Sequence, residues 1–536
     1  MNALANLQPP VDMSIADLSL NINSTAVTAS RHSFWDRRGG HPPRILLVTP
    51  ELSESRFLAR NGNQSPQVKA GGLADVSAML LDSFSEAGAQ VHVALPHFRS
   101  LITTGKRSRR LHLCEDREFC YRHSVYEGCA ESNLRAALAF QRDVIHYVLP
   151  AIRPDLVHCH DWMTGLIPAA ARSMGIPSLF TVHNLHDERT TLSNIEDRGI
   201  DAAKFWSHLY FDRYPDCYEN TRDHNPLSML ASGILAADHV NTVSPGFLRE
   251  LAEGGHGAPW AVIDAIRGKL GAGRAHGFMN ALPEGYCPSQ DPNLAEKYDA
   301  ANHAIGKRSN KLALQQLLGL EVDADAPVLF WPSRLDPVQK GCHLLAEILY
   351  QLVSDYWALG LQVVFVADGP YKETFENIVA FHDLKSRIAV RDFSEPLSRL
   401  GYAASDFTLM PSSFEPCGLS QLIGQRHGSL PIVHATGGLR DTVRHLNPQQ
   451  ESGNGFAFEV YDARALRWAV DEAIRFYICP PPLKDANISR VMQEAGHMFT
   501  PSAMMRKYLG IYDKLLEIRY PISSSSETAA GRGLRR

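Results

Sequence analysis

The chain has 536 residues and a mass of 59.4 kDa, more than one ordinary hydrophobic core contains, which predicts two large domains. Hydrophobic residues make up 44% of it, as in globular proteins, and the formal net charge of −5 excludes a general basic surface for nucleic acid or an anionic membrane. The longest apolar runs, such as residues 361–367, are far shorter than the roughly 18 residues of a membrane span.

The two ends of the chain differ from the rest in composition. Residues 1–43 are rich in Ser, Asn, Ala and Pro and lack the apolar stretch of a secretory signal, so they predict a disordered extension. A plastid transit peptide is the alternative interpretation, although Asp12, Asp17 and Asp36 are untypical of one. Residues 521–536 predict a disordered tail. Nine cysteines without CxxC or Cys/His spacing predict reduced thiols, a cytoplasmic location and no metal site.

Between these ends, buried strands alternate with helices. The first strand is predicted at residues 44–50, where a continuous apolar run ends in proline, as expected for a parallel strand covered on both faces. Similar runs predict strands at residues 90–96, 155–160, 177–184 and 239–245. Helices are predicted at 74–88 and 164–175, and both end at glycine.

A second series of strands follows a Gly- and Pro-rich connection at residues 271–292. Its strands are predicted at residues 327–333, 361–369, 387–393, 406–413 and 430–438. The alternation predicts an α/β protein with two doubly wound, Rossmann-like domains, at 44–280 and 281–500, that face each other across a cleft. In such sheets ligands bind at the carboxyl ends of the strands, which directs attention to the residues that follow each strand.

Two glycine pairs each precede a predicted helix. Gly71 and Gly72 follow Lys69, and the backbone N–H groups of such a loop can bind an anion, although glycines that only turn the chain are the alternative. The second loop offers its backbone amides in the same way, through Thr436, Gly437 and Gly438. No GxGxxG pattern follows the first strand, which argues against a Rossmann dehydrogenase.

Polar side chains also follow the strands of both series. His160 and Asp161 end one strand of the first series, and His183 and Asn184 end the next. A single histidine at a strand end usually forms a structural hydrogen bond, but two such sites in consecutive units indicate function. In the second series Arg334 and Lys340 lie on a strand-to-helix loop, and a guanidinium with an ammonium there suits a diphosphate.

Glu415 is a lone carboxylate between Phe414 and Pro416, just before a predicted buried helix. Burial of an unpaired charge is unfavourable, so this residue predicts either a partner or a functional role. A nucleotide sugar, bound by the cations and by the helix N-termini, would account for all of these features together.

Seven stretches in this order and spacing resemble the bacterial and plant glycogen and starch synthases: KAGGLADV, HCHDWMTGLIP, TVHNL, AADHVNTVSP, SRLDPVQKG, PSSFEPCGLSQL and ATGGLRDTV. The resemblance covers about residues 44–515. It implies a family 5 glycosyltransferase of the GT-B class, with an acceptor-side first domain, a nucleotide-sugar-binding second domain and a last helix at 501–520 that crosses back to the first. It further implies glucose transfer from ADP-glucose or UDP-glucose to the non-reducing end of an α-1,4-glucan, with retention of configuration and without a metal or cofactor.

The resemblance also implies roles for individual residues. Arg334 and Lys340 would act at the donor diphosphate, His183 and Asp161 at the reacting sugar and acceptor, and Glu415 at the glucose, where it stabilises positive character at the anomeric carbon. The donor site would also include Lys69, Gly71, Gly72, Asn184, Ser333, Cys417, Gly418, Leu419, Thr436, Gly437 and Gly438, with Phe393 stacked near the base.

Several segments depart from the family pattern, mostly on the acceptor side. Arg334 and Lys340 are six positions apart where the family has five, which requires a bulge if both reach the diphosphate. Residues 55–67 lengthen the loop before Lys69, and residues 186–191 and 277–288 carry unusual sequences. A related GT-B enzyme with a short oligosaccharide or small-metabolite acceptor therefore remains a second hypothesis. A catalytically weak, glucan-binding regulator is a third.

Overall fold

The computed structural model describes residues 42–60, 63, 65–102, 107–282 and 285–518. Apart from Pro42 and Pro43, the extension predicted at 1–43 lies outside these residues, as does the tail predicted at 521–536. Two large parallel sheets organise the described chain. Each is covered by helices, as expected for doubly wound α/β domains.

The first sheet contains seven parallel strands in the order β3-β2-β1-β4-β5-β8-β9. All five strands predicted for this half are present, whereas β3 and β9 are additional strands of four and three residues that lie at the two edges. Two short strands, β6 and β7, form a separate antiparallel pair. In chain order the strands are β1 Arg44–Val48, β2 Gln90–Pro96, β3 Leu111–Cys114, β4 Leu156–His160, β5 Ser178–Val182, β6 Arg189–Thr190, β7 Leu227–Ser228, β8 His239–Thr242 and β9 Ala275–Gly277.

The second sheet contains six parallel strands in the order β12-β11-β10-β13-β14-β15. Its first five strands match the predicted ones, and β15 is an additional edge strand of three residues. The strands are β10 Val328–Trp331, β11 Gln362–Val366, β12 Ile388–Arg391, β13 Phe407–Met410, β14 Leu430–His434 and β15 Phe456–Phe458.

The α-helices connect and cover these strands. In chain order they are α1 Arg56–Ala59, α2 Gly72–Glu86, α3 Arg117–Cys120, α4 Ala130–Asp143, α5 Leu149–Ile152, α6 Ile167–Ser173, α7 Leu192–Asp197, α8 Tyr218–His224, α9 Met229–Ala236, α10 Pro245–Glu253, α11 Trp260–Gly271, α12 His303–Leu318, α13 Cys342–Asp355, α14 Lys372–Phe381, α15 Glu395–Ala404, α16 Ser420–Arg426, α17 Gly437–Thr442, α18 Ala463–Tyr477, α19 Pro481–Met498 and α20 Pro501–Leu516.

The last helix, α20, packs on the core of the first domain, which confirms the crossing helix. Tyr512 is fully buried, stacks on Phe84 at a centroid distance of 4.5 Å, and forms a 2.8 Å hydrogen bond between its hydroxyl and His158 Nδ1. Tyr508 accepts a hydrogen bond from Asn241 Nδ2 at 3.1 Å. The helix ends at Leu516, and residues 519–520 of the predicted segment lie outside the described chain.

Both sheets have a switch point, where the strand order reverses direction. In the first sheet β1 lies between β2 and β4, and in the second β10 lies between β11 and β13. The loops that leave two such neighbouring strands turn to opposite faces of the sheet and open a crevice between them. These four switch-point loops, after β1, β4, β10 and β13, carry Lys69, Asp161, Arg334 and Glu415, respectively.

Candidate active site

A cavity of about 680 Å³ is lined by residues at the carboxyl ends of both sheets. A volume of this order is typical of small-molecule sites, which lie preferentially at such switch points. Most of the residues predicted for the site line this cavity: Lys69, Gly71, Gly72, His183, Asn184, Ser333, Arg334, Lys340, Phe393, Glu415, Cys417, Gly418 and Leu419.

The second glycine pair does not line the cavity. Gly437 N donates to both carboxylate oxygens of Glu250, at 2.8 and 2.9 Å, and Gly438 N donates to the Glu415 carbonyl at 2.9 Å. Thr436 Oγ1 also contacts the Glu250 carboxylate, at 3.4 Å. The protein itself occupies the amides of Gly437 and Gly438 in this structure, and binding of a donor anion by these three residues stays a prediction.

The buried carboxylate of Glu415 has a cationic partner. Glu415 is 8% exposed, and its Oε2 lies 2.6 Å from Lys340 Nζ and accepts a hydrogen bond from Ser412 Oγ at 3.1 Å. Such pairing offsets the free-energy cost of removing a carboxylate from water. The ion pair also joins the β10 and β13 switch-point loops, so it fixes the carboxylate at the cavity wall.

Arg334 is the exposed cation of the same wall. Among the described residues its guanidinium forms no hydrogen bond or ion pair, whereas Lys340 is bound to Glu415. Asp336 Oδ1 accepts the N–H groups of Val338 and Gln339, at 2.9 and 2.7 Å, and this turn accommodates the extra residue between the two cations. Both cations therefore reach the cavity, and Arg334 presents donors suited to a diphosphate.

The Glu51 carboxylate binds backbone amides of the first glycine loop. Its Oε2 accepts hydrogen bonds from Ala70 N at 2.7 Å and Gly71 N at 2.8 Å, and burial raises the pKa of this carboxyl. Lys69 Nζ lies 2.9 Å from the Asp75 carboxylate. The loop holds its shape through these two acidic residues, which sequence reasoning missed, so part of its capacity to bind an anion is used internally.

Asp161 lies behind the cavity wall and supports the residues that form it. It adopts a left-handed conformation, with φ of +57°, and its carboxylate accepts hydrogen bonds from His183 N at 2.6 Å and Asn184 Nδ2 at 2.8 Å. Burial raises the pKa of Asp161 to about 8. A non-glycine residue in this region costs about 1–3 kcal/mol and indicates a functional constraint. In the structure Asp161 acts through the turn that carries His183 and Asn184.

The His183 ring is neutral in this environment. Burial lowers its pKa to about 3, and its Nε2 lies 2.8 Å from Nδ1 of the buried His160. One of the two nitrogens must donate and the other accept, so His160 determines which tautomer of His183 is present. His183 therefore contributes a neutral ring and its backbone to the cavity rather than a positive charge.

Replacing Asp161 by Asn should remove a pH dependence of stability. The pKa of Asp161 is about 8 in the folded state and has an ordinary value of 3.8. The folded protein retains a proton that the unfolded chain releases, so this group lowers the free energy of unfolding as the pH rises from about 4 to about 8. The free energy of unfolding, measured with urea, should differ less between pH 5 and pH 8 in the variant than in the wild type. The reduction should be several kcal/mol, on the order of 1.4 kcal/mol per pKa unit.

Asp201, an exposed aspartate of the same domain, provides the control for this prediction. Its carboxylate is 48% exposed and pairs with Lys204 at the surface. Asp201→Asn should therefore leave the change in unfolding free energy between pH 5 and pH 8 as in the wild type. An Asp161→Asn protein with the wild-type pH difference would contradict titration of a buried Asp161.

An aromatic and charged cluster lines the cavity near Phe393. Tyr286 Oη donates to Glu395 Oε1 at 3.0 Å, and the Arg399 guanidinium lies 4.2 Å from the centre of the Tyr286 ring. Phe393 is half-exposed. Sequence reasoning missed Tyr286 because the segment 278–302 has no helix or strand pattern, and an aromatic residue in a connection was its only signal. The other lining residues that it missed include Tyr126, Trp162, Asn280, Gln339, Ser398 and Tyr402.

The described residues contain no group of three or more His, Cys, Asp or Glu side chains placed to bind a metal ion. All nine cysteines are unpaired. No helix within the described ranges is long and apolar enough to cross a membrane.

Two doubly wound domains whose switch-point loops line one cavity are the architecture of the GT-B class of glycosyltransferases. Residues 44–261 match the model of the starch synthase catalytic domain, and residues 326–475 match a model of group 1 glycosyl transferases. The chain is 32% identical to the glycogen synthase of Exiguobacterium sibiricum over 489 residues, which cover 84% of this chain and 96% of that protein. The glycogen synthase of Bacillus subtilis is 31% identical, with the same coverage. The chain belongs to the glycogen and starch synthase family.

Solved structures agree with the fold. The catalytic domain of starch synthase IV from Arabidopsis thaliana, bound to ADP and acarbose, superimposes with a TM-score of 0.73 at 23% identity and covers 89% of this chain and 99% of that one. A sucrose-phosphate synthase from Thermosynechococcus elongatus gives a TM-score of 0.54 at 18% identity, covering 88% and 99% of the two chains. At these identities the likeness establishes the two-domain fold.

Proposed function

We propose that the protein transfers glucose from a nucleoside diphosphate glucose to the non-reducing end of an α-1,4-glucan, with retention of configuration. One observation carries the proposal: the Glu415–Lys340 pair and Arg334 of the second domain line the same cavity as His183, Asn184 and the Lys69 loop of the first. Membership of the glycogen and starch synthase family supports glucose as the transferred group and a glucan as the acceptor.

The cations act on the leaving group. When the bond between the anomeric carbon and the diphosphate breaks, the nucleoside diphosphate takes both electrons and gains negative charge, which Arg334 and Lys340 stabilise. The acceptor hydroxyl forms the new bond on the same face of the sugar, and its proton passes to a diphosphate oxygen. This route retains the configuration and needs no other base.

Glu415 acts on the positive charge that develops on the transferred sugar. Its carboxylate accepts hydrogen bonds from sugar hydroxyls and stabilises the positive character of the anomeric carbon. Lys340 holds this carboxylate in place, and the diphosphate competes for the same ammonium once the donor binds. The neutral His183 ring positions the sugar from the opposite domain, and enclosure between two domains limits hydrolysis of the donor.

ADP-glucose is the favoured donor, with UDP-glucose as the alternative. The related starch synthase was solved with ADP, and the bacterial relatives are named glycogen synthases. Phe393 would stack near the base, and Tyr286, Glu395 and Ser398 line the same part of the cavity. We also propose the domain limits 44–280 and 281–500, the crossing segment 501–520 and a cytoplasmic location, with no nucleic acid or membrane partner.

A matrix of donors and acceptors tests this function. Purified protein is incubated with radiolabelled ADP-glucose or UDP-glucose, each with glycogen, with maltooligosaccharides or with no acceptor. Incorporation into α-glucan from one donor supports the proposal and identifies the nucleotide. Donor hydrolysis without glucan growth would contradict a glucan acceptor, and the unusual segments 186–191 and 277–288 would then direct the search to smaller acceptors.

A further inference from the structure

Helix α10 of the first domain contacts the second domain beside the loop that carries Glu415. Glu250, on this helix, places its carboxylate on the Gly437 amide, at 2.8 and 2.9 Å, and on His256 Nε2, at 2.6 Å. Burial raises the pKa of Glu250, but the hydrogen bonds from His256 and Gly437 outweigh it and lower the pKa below its ordinary value. The contact is therefore made by an ionised carboxylate, which forms stronger hydrogen bonds than a neutral group.

Gly437 and Gly438 transmit this contact to the catalytic loop. A Cβ on Gly437 would lie 2.2 Å from the Glu415 carbonyl oxygen, and a Cβ on Gly438 would lie 2.1 Å from the Cys417 carbonyl oxygen. Gly437 also has a φ of +45°, and Gly438 N donates to the Glu415 carbonyl. The glycine pair thus permits close backbone packing, so residues 437–438 cannot move without moving the backbone of Glu415.

Two further contacts connect the start of α10 to the same region. Ser244 Oγ donates to the Pro416 carbonyl at 2.6 Å, and Gly246 N donates to Asp441 Oδ2 at 2.6 Å. A Cβ on Gly246 would lie 2.6 Å from the Gly437 carbonyl oxygen. The first domain therefore contacts the backbone next to Glu415, at Pro416, and the glycine pair that packs on Glu415. At Gly246 the approach is close enough to exclude a methyl group.

We infer that Glu250 is a positioning residue: its contact with Gly437 couples closure of the two domains to the geometry of Glu415. This inference rests on the proposed function, because it assumes that Glu415 acts on the transferred sugar. When the domains separate, Gly437 loses its carboxylate partner and the Pro416 carbonyl loses the Ser244 hydroxyl, whereas the contacts of Glu415 with Lys340 and Ser412 remain. The backbone beside Glu415 therefore has its full set of contacts only while the first domain is docked, which favours sugar transfer in the closed enzyme.

The test compares Glu250→Ala and Glu250→Gln with Glu253→Ala, a control for an exposed glutamate on the same helix. Alanine removes the acceptor of the Gly437 amide, so kcat should fall on the order of 100-fold, as expected for a displacement of about 1 Å at the reacting groups. Glutamine retains an acceptor oxygen and should restore most of kcat. The dissociation constant for ADP, measured by calorimetry, should not change, because Arg334 and Lys340 are untouched.

Gly246→Ala provides a second, independent variant in case Glu250→Ala does not fold. It leaves the charge of Glu250 in place but inserts a methyl group at the contact with Gly437, so kcat should fall while ADP still binds. Wild-type kcat in Gly246→Ala or in a folded Glu250→Ala protein would overturn the inference. Equal losses of kcat, ADP binding and melting temperature would also overturn it, in favour of a general structural role. A wild-type protein without glucosyl transfer would refute the proposed function and this inference together. If the wild type is active, the variants test this inference alone.

Discussion

Replacing Glu415 by Gln should lower kcat by about 10³-fold, the effect of removing one group that stabilises transition-state charge. The amide is nearly isosteric and still offers an oxygen to Lys340 Nζ and Ser412 Oγ, which lie 2.6 and 3.1 Å from the carboxylate, so the loop should keep its shape. It lacks the negative charge that opposes positive character at the anomeric carbon. Initial rates at saturating donor and glucan measure the effect, and a thermal melt monitors the fold.

Glu376→Gln is the matched control for this prediction. Glu376 also pairs with a lysine, Lys372, at 3.6 Å, but at the surface of α14 and with a side chain that is 50% exposed. A pair of this kind contributes only about 0.3–0.5 kcal/mol, so this variant should keep the wild-type rate. A Glu415→Gln protein with the wild-type rate would show that the carboxylate has no part in the chemistry.

Replacing Arg334 by Ala should raise the KM for the donor and lower kcat together. The guanidinium is exposed at the cavity and forms no ion pair with any residue in the described parts of the chain, so its charge is available to the diphosphate. It binds the diphosphate in the ground state and stabilises the additional charge as the group leaves. kcat/KM should fall by about 10²–10³-fold, as when other hydrogen-bond donors to a developing anion are removed.

Arg308→Ala is the control for the arginine substitution, since Arg308 pairs with Asp325 on the surface of the same domain. It should leave both kinetic constants unchanged. If Arg334→Ala altered only the affinity for glucan, with an unchanged donor KM, the assignment of Arg334 to the diphosphate would be wrong.

The residues that sequence analysis placed correctly at the cavity follow strands with a strong local signal. Arg334, Lys340 and Glu415 lie on loops that follow continuous apolar runs, and His183 and Asn184 follow another. Buried parallel strands are recognisable from a few adjacent residues, and their carboxyl ends meet at one edge of the sheet. Position at a strand end was therefore sufficient to bring these side chains together.

The internal partners of the two glycine loops depend on contacts between distant parts of the chain. The loops around Gly71 and Gly437 look alike in sequence, yet Gly437 is bound by Glu250, which is 187 residues away. Glu51 likewise binds Gly71 across 20 residues. A glycine pair before a helix has the same sequence pattern whether a ligand or a carboxylate of the protein binds its amides. Only the tertiary contacts of the folded chain distinguish these cases.

The most direct test of retaining glucosyl transfer at this cavity is the linkage of the product. Wild-type protein is given ADP-glucose labelled with ¹³C at the anomeric carbon together with maltotriose, with Glu415→Gln in parallel, and the product is followed by NMR. We expect the label to appear in a new α-1,4-linked glucosyl unit at the non-reducing end, and this signal to be almost absent in the variant. A β-linked product, or an α-linked product formed equally well by Glu415→Gln, would contradict it.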